Sequence, residues 1–438
     1  MIVDEVPAER PLARWEWIAV AAIPILLIAF GHITLRRATH HEGGMTDLGV
    51  YARAAWAMRV GLNPYDIAGD RGWHYLYPPT FVVAMFPFAD PPDDVARPGC
   101  LPFSVTVVAW YAINCVLAGV AVHLFALAAM PGAKPGSRRW WYLRLIPFDV
   151  AITSLGYTLS RGQVNILVLA VLGACFLHWS RKQSFRAGLW LALAAAIKVL
   201  PGLLLLLVLV RRNGRMVLGL AVGLFVSLGI VPAMVWGIDG AIDMNRTFLS
   251  RVAGPSVTNG GDATIHKEFS GTTSTDSQAF HAIIHAWRHP DRDARPDVSD
   301  GISKGLHYAI GLALLAMVLF AAWKQRMELD DPVRLLLAFG SICVVMVHIA
   351  PASHMHYYSY SLPLIAGLLF ENLRWHPTRA VPTRPVLLGF AAWFTGTLLP
   401  LIDTDPSFVA LRDRGLAVAA NLGLLAWGVA RLLRAKKV

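Results

Sequence analysis

The chain has 438 residues, of which 56% are hydrophobic and only 15% charged, with a formal net charge of +11. A soluble domain is about a quarter charged, so this composition excludes an ordinary soluble enzyme. Lys and Arg cluster between long apolar runs, as they do in cytoplasmic loops of membrane proteins, and the positive balance is therefore no sign of nucleic-acid binding.

The first apolar run, Trp15 to Leu35, is too long for a signal-peptide core and is expected to span the membrane. The basic clusters follow at Arg10 and Arg14, Lys134 to Arg144, Arg181 to Arg186, Arg211 to Arg215, Lys324 and Arg326, Arg374 to Arg384, and Arg431 to Lys437. Placed in the cytoplasm, they fix a topology. The first span runs outward, and residues 39–100 form a first outer loop. Leu101 to Met130 returns, and Leu145 to Trp179 goes out and back, turning at Ser160 to Asn165. Ala187 to Val210 begins and ends at basic clusters, which requires a hairpin of short helices or a re-entrant pair broken at Pro201. Met216 to Trp236 leads out to a second long outer loop, residues 237–303. Runs starting at Gly305, Val333, Tyr358, Pro385 and Gly415 complete about ten to twelve crossings with both termini inside. The expectation is an all-α polytopic membrane protein forming one integral membrane domain over residues 1–438. Arg36 and Arg37 fall on the outer side, where an anionic ligand would account for them.

The outer loops are too polar for lipid but carry amphipathic pieces. Leu48 to Val60 places Val50, Ala54, Ala57 and Met58 near one face with Arg53 elsewhere, the pattern of an interfacial helix lying flat on the bilayer. Pro78 to Phe88 is too short to span and is bounded by prolines, so it is expected to dip in and return. Gly254 to Gly271, rich in small polar residues, is expected to be mobile. Cys100, Cys115, Cys175 and Cys343 have no CxxC spacing and read as small hydrophobes.

This topology gathers polar residues on the outer face: Asp47, Asp66, Gly72 to Thr80, Ser160 to Asn165, Ser274 to His281 and Ala350 to Tyr360. Lys198 sits inside an apolar run. Such a gathering suggests a shared cavity. Plainer readings stand beside it. Asp47 is also a good helix N-cap. Lys198 could snorkel, although about twelve residues separate it from either basic end of its run. Gln163 and Asn165 could satisfy backbone groups at a helix break. Tyr357, Tyr358 and Tyr360 fit an aromatic belt at the membrane interface. His354 and His356, two positions apart with no Cys nearby, make a weak metal motif.

Five stretches, "DLGVYARAAWAMRVGLNPYD", "YLYPPTFVVAMFPF", "GQVNILVLAVL", "AAAIKVLPGLLLLLVLVRRNGR" and "APASHMHYYSYSLPL", stand in the order typical of glycosyltransferase family 87. The chain resembles this family of the glycosyltransferase C superfamily over Asp47 to Leu364. The family includes mycobacterial polyprenyl-phosphate-mannose-dependent α-mannosyltransferases. The resemblance implies a glycosyltransferase C-type fold and a polyprenyl-phosphate sugar donor, by default mannose, with arabinose or glucose as alternatives. It also implies a glycolipid or glycan acceptor and an active site at the outer face of the cytoplasmic membrane. Asp47 matches the proposed general base, which would act in a single inverting displacement. Lys198 matches the lysine of an AxxxKxxP stretch and, with Arg161 and His356, is expected to hold the donor phosphate. Tyr51, Tyr77, Gln163, Asn165, Gln278, His354 and Tyr357 are the expected substrate contacts. Beyond the lipid bilayer and these substrates no partner is implied, and no metal or other cofactor is obligatory. Asp403 to Asp405 has Asp-x-Asp spacing but lies outside the family motifs.

Two departures from the family pattern stand out. In the pattern Ser-Pro-x-Ser-Trp-x-His-His-Tyr, Ala350 replaces the first Ser, His354 the Trp and Tyr357 the second His. The family's Asn-Gln-Ser survives only as Ser277-Gln278-Ala279. Both departures bear on which sugar or acceptor is recognised more than on the reaction type. The competing functional class is a lipid-linked-sugar transporter or flippase, against which the chain shows no repeated halves. A scaffold that has lost activity is a third.

Overall fold

Apolar runs that cross lipid must satisfy their backbone groups internally, and a helix does so within one segment. The computed structural model describes residues 9–40, 45–70, 72–257, 268, 271, 276–402 and 406–434. Seven helices among them are long and apolar enough to cross a membrane, by length and composition: residues 14–39, 103–129, 214–256, 301–324, 332–349, 384–401 and 416–433. Three shorter apolar helices join them, Asn165–Ser180, Ser184–Ile197 and Leu200–Val210. The protein is an all-α, polytopic membrane protein, as expected.

In chain order the first half holds α1 (Arg14–His40), α2 (Thr46–Arg59), α3 (Pro79–Ala84), α4 (Phe103–Ala129), α5 (Arg138–Val150), α6 (Ile152–Arg161), α7 (Asn165–Ser180), α8 (Ser184–Ile197), α9 (Leu204–Val210), α10 (Gly214–Leu224) and α11 (Val231–Phe248). The second half holds α12 (Phe280–Arg288), α13 (Gly301–Lys324), α14 (Pro332–Ile349), α15 (Leu362–Trp375), α16 (Arg384–Leu398), α17 (Pro406–Asp413) and α18 (Leu416–Leu433). α14 is the central element, with every residue from Val333 to His348 buried. α1 stands at the rim and leaves Ile18, Ile25 and Ile28 uncovered, a surface suited to lipid.

The expected turn at Ser160 to Asn165 separates α6 from α7. The expected break in Ala187 to Val210 exists but falls at Lys198, whose backbone is extended (φ −148°, ψ 123°), and not at Pro201. Proline is tolerated in the first turn of a helix, where its missing N–H costs nothing, so Pro201 opens the next helical segment instead of ending the previous one. The second outer loop is less of a loop than expected. Gly237, at φ 71° and ψ 177°, turns the chain in a region open to glycine alone, and helix resumes to Phe248. The segment expected to be mobile, Gly254 to Gly271, lies mostly outside the described residues, as does Asp403 to Asp405.

α2 is the clearest departure. Leu48, Tyr51, Ala52, Arg53, Ala54, Ala55, Ala57 and Met58 are all buried in protein, so the helix does not lie on the bilayer with one face free. Alanines on every side let neighbours approach closely. Arg53 is buried with them, donating to Asp70 at 2.7 Å and to the Asp90 carbonyl at 3.2 Å. α3 packs beneath α2, with Thr80 donating to the Ser227 carbonyl at 2.5 Å.

The loops fall into two groups. At one end Arg138 binds Glu16 at 2.6 Å, Arg139 donates to the Leu373 carbonyl at 3.0 Å, and Arg334 donates to the Leu432 carbonyl at 3.0 Å. Arg374 pairs with Asp331, and Arg211 with Asp330. At the other end Asp47 meets Arg161, Asp66 meets Arg251, and His74 binds Glu268 at 2.7 Å. The basic segments thus contact one another, and Asp47 contacts the Ser160 to Asn165 turn, two of the motifs expected on the outer face.

Candidate active site

Asp47 lies in the first turn of α2, but its side chain does not cap the helix. The N-cap is Met45, in the left-handed conformation at φ 52°, and its N–H donates to the Ser160 carbonyl at 3.2 Å. This ties the start of α2 to the end of α6. The Asp47 carboxylate then accepts from Arg161 Nε at 3.0 Å on one oxygen and from Gln163 Nε2 at 2.8 Å on the other. Gly162 makes that double grip possible. Its φ of 70° ends α6, and a Cβ there would lie 2.6 Å from Met45 Sδ and 2.7 Å from Leu48 Cβ.

Gln163 carries the network inward. Its Oε1 lies 3.1 Å from the Tyr51 hydroxyl and 3.2 Å from the Tyr77 hydroxyl, and the two hydroxyls are 2.9 Å apart. Tyr51 sits one turn after Asp47, on the same face of α2, and meets Tyr77 edge to face at 5.1 Å. Burial raises both phenols, Tyr77 with the Asp47 charge as second cause, so they remain proton donors.

Lys198 does not snorkel. Because α8 ends at Ile197, its side chain turns into the protein, where it is 6% exposed. Its ammonium donates to Asn165 Oδ1 at 2.7 Å and stands 3.9 Å from the centroid of the Tyr357 ring, with Tyr77 at 5.6 Å and Tyr360 at 6.0 Å. Aromatic faces attract a desolvated cation. Among the described residues no carboxylate forms an ion pair with it. Asn165 also accepts from Tyr360 at 3.2 Å and donates to the His356 carbonyl at 2.9 Å. Gln163 and Asn165 therefore link side chains across the site, beyond satisfying a local helix break.

The His356 ring stacks on Tyr157 at 6.0 Å and on His354 at 5.5 Å. Both its nitrogens are buried without a hydrogen-bond partner among the described residues. Burial, then the neighbouring His354, Arg161 and Lys198, push its imidazole well below the usual histidine range. It is therefore neutral, a hydrogen-bond donor and not a cation. Burial first, and the Arg161 charge second, push His354 down to about 4. Gln278 is buried outside this network. Its N–H holds the Ser353 carbonyl and its amide reaches the Arg412 carbonyl at 3.5 Å, so it braces the segment carrying His354.

The arrangement has a floor and a rim. Tyr51, Gln163, Asn165, Lys198 and His356 are buried, whereas Asp47, Arg161, Tyr77, His354 and Tyr357 are partly open. Three residues were not singled out from sequence as part of this site. Tyr360 binds Asn165, Tyr157 stacks on His356, and Thr158 donates to the His356 carbonyl at 3.3 Å. Tyr157 lies one helical turn before Arg161, and that spacing was the available signal. Tyr358 and Tyr360, 0% and 1% exposed, are core residues and not members of an interface belt. The Asp90 to Asp94 stretch is a turn held by Arg97, as its prolines imply. A cavity of about 330 Å³ between α1 and α5, lined by Glu16, Tyr142 and Asp149 among apolar side chains, touches none of the expected site residues.

Residues 75–351 match the profile of glycosyltransferase family 87. The chain belongs to this family. It is a membrane glycosyltransferase. A polyprenol-phosphate-mannose-dependent alpha-(1-2)-phosphatidylinositol mannoside mannosyltransferase of Mycobacterium tuberculosis is 26% identical over 362 residues, which cover 78% of this chain and 74% of the relative. The family match spans Tyr77, Arg161, Gln163, Asn165, Lys198 and Gln278. Asp47 and Tyr51 precede it and His354 to Tyr357 follow it, so these residues join the site on geometry.

Proposed function

We propose that this glycosyltransferase moves a sugar from a polyprenyl phosphate to a hydroxyl of a glycolipid or glycan acceptor, with Asp47 as general base. The observation that carries this reading is the buried ammonium of Lys198, held by Asn165 and three tyrosines without a carboxylate partner. Burial disfavours the charged form of this amine and the Asp47 charge offsets that only in part, so a phosphate monoanion beside it would stabilise the ammonium. A polyprenyl phosphate brings such a group from the membrane.

In the displacement the acceptor oxygen bonds to the anomeric carbon as the bond from that carbon to the phosphate oxygen breaks. The polyprenyl phosphate leaves with the electron pair. The acceptor proton passes to Asp47, whose carboxylate also faces the positive charge developing on the sugar ring. One displacement inverts the anomeric centre, so a β-linked donor gives an α-linked product. Arg161 and Gln163 orient the carboxylate. Arg161, partly exposed, can also turn to the donor phosphate, and His356 offers it a neutral N–H donor. Similarity to the mycobacterial mannosyltransferase supports mannose as the sugar and a phosphatidylinositol mannoside as acceptor. The grouping of basic segments at one end supports cytoplasmic termini and a site at the outer face of the cytoplasmic membrane.

The test is mass spectrometry of products formed by the purified protein from polyprenyl-phosphate mannose and a mixed lipid extract. The expected product is an acceptor heavier by one hexose. Donor carried intact across a vesicle membrane, with no sugar transferred, would replace this reading with a transporter.

A further inference from the structure

α12 and the residue after it read His281-Ala-Ile-Ile-His285-Ala-Trp-Arg-His289, three histidines at four-residue steps. Residues one turn apart share a helix face, and the rings of His285 and His289 lie 4.5 Å apart. Asp300, which opens α13, faces them. Its Oδ2 is 3.6 Å from His285 Nδ1 and 3.7 Å from His289 Nε2, and one ligand atom from each of the three residues lies within 4.8 Å of the others. These separations are too long for hydrogen bonds. They suit two ligands of one ion, because bonds of about 2.1 Å in a tetrahedron set ligand atoms about 3.4 Å apart.

The surroundings point the same way. His285 is fully buried, and its Nε2 donates to the Pro296 carbonyl at 3.2 Å. That fixes the proton on Nε2 and leaves the Nδ1 lone pair toward Asp300. Nδ1 is itself buried without a hydrogen-bond partner among the described residues. A metal-binding histidine commonly donates its other N–H to a carbonyl in this way. The second oxygen of Asp300 accepts from Ser303 N–H at 2.7 Å, which holds the carboxylate toward α12. Arg288 pairs with the ligand oxygen, so an ion arriving there takes the place of that guanidinium.

We propose that His285, His289 and Asp300 form a binding site for one zinc ion, with water as the fourth ligand. Two imidazoles and one carboxylate suit zinc better than magnesium or calcium, which prefer all-oxygen shells. The ion ties α12 to the start of α13. α12 and the chain leading into it hold the active-site segment, through Gln278 N–H on the Ser353 carbonyl and His281 Nε2 at 2.6 Å from the Pro351 oxygen. Zinc here is a positioning element, outside the Asp47 network.

The test uses the full chain in detergent, purified without a histidine tag and stripped with a chelator. Calorimetric titration with zinc chloride is expected to show one ion per chain, unaffected by excess magnesium. His289→Gln, at a partly exposed position, is expected to weaken binding by at least about tenfold. Zinc is expected to raise the melting temperature of the wild type but not of that variant, while the two metal-free proteins melt alike. Stoichiometry far below one, or equal affinity in wild type and His289→Gln, overturns the site.

Discussion

Arg161 and Asp47, 114 positions apart in sequence, meet at 3.0 Å through Nε and Oδ2. The contact joins the end of α6 to the first turn of α2, and it leaves the carboxylate partly open instead of sealing it. Gln163 holds the second oxygen at 2.8 Å and is tied to Tyr51 and Tyr77, which satisfies the carboxylate as it would in any partly buried ion pair. A carboxylate that keeps one orientation through a proton transfer gains from it as well.

Asp47→Asn keeps the shape and removes the proton acceptor. Turnover with a polyprenyl-phosphate sugar is expected to fall by at least about a hundredfold, the lower range for loss of a general base. Melting temperature is expected to stay close to the wild type. Retained turnover at near-normal rates would move the base elsewhere, with Asp47 left as an anchor for Arg161.

Lys198→Met separates function from stability. The substitution removes a buried amine that has no ion-pair partner among the described residues and puts an unbranched apolar side chain in place of the ammonium over Tyr357. Stability is expected to hold or rise. The KM for donor is expected to rise by about tenfold or more, as for a lost charged hydrogen bond. Isothermal denaturation and donor titration check the two halves. A fall in stability with unchanged donor KM would make Lys198 a structural partner of Asn165 instead.

The helical spans were legible because their signal is composition, and the site motifs because polar residues are few in this chain. What could not be read was the identity of the surface covering an apolar face. α2 has the pattern of a helix at a bilayer, yet protein covers it, because the alanines that look weakly amphipathic also permit close packing all round. Lys198 was legible as an anomaly. Its rescue by Asn165, Tyr357 and Tyr360 was not, since those partners lie 33 or more positions away. His356 was read as a phosphate ligand of either kind, cation or donor, and only its burial decides for the neutral donor.

Gly162→Ala tests the turn that brings Arg161 and Gln163 to one carboxylate. A methyl group there meets Met45 Sδ and Leu48 Cβ well inside contact distance, at a backbone conformation that costs about 1–2 kcal/mol for a non-glycine residue. Both effects push α2 away from α6. A loss of stability of at least that size is expected, with kcat lowered more than donor KM. Wild-type kcat in a correctly folded variant would show that the Asp47 grip does not govern the chemistry.

Acid is expected to destabilise the protein before it protonates the carboxylates. His354 is pushed down to about 4 and His281 to about 3, each by burial first, the former with Arg161 and the latter with His307 as next cause. An unfolded histidine titrates near about 6.5. Below that value the unfolded chain takes up protons that the folded chain refuses, so stability falls as pH drops. The contribution is full above about pH 6.5 and is lost progressively toward about pH 4 for His354 and about pH 3 for His281. Melting temperatures between pH 7 and 5 are therefore expected to decline, and His354→Gln is expected to flatten that slope. A melting temperature that holds steady or climbs on acidification would mean that these imidazoles are solvated and charged in the folded protein.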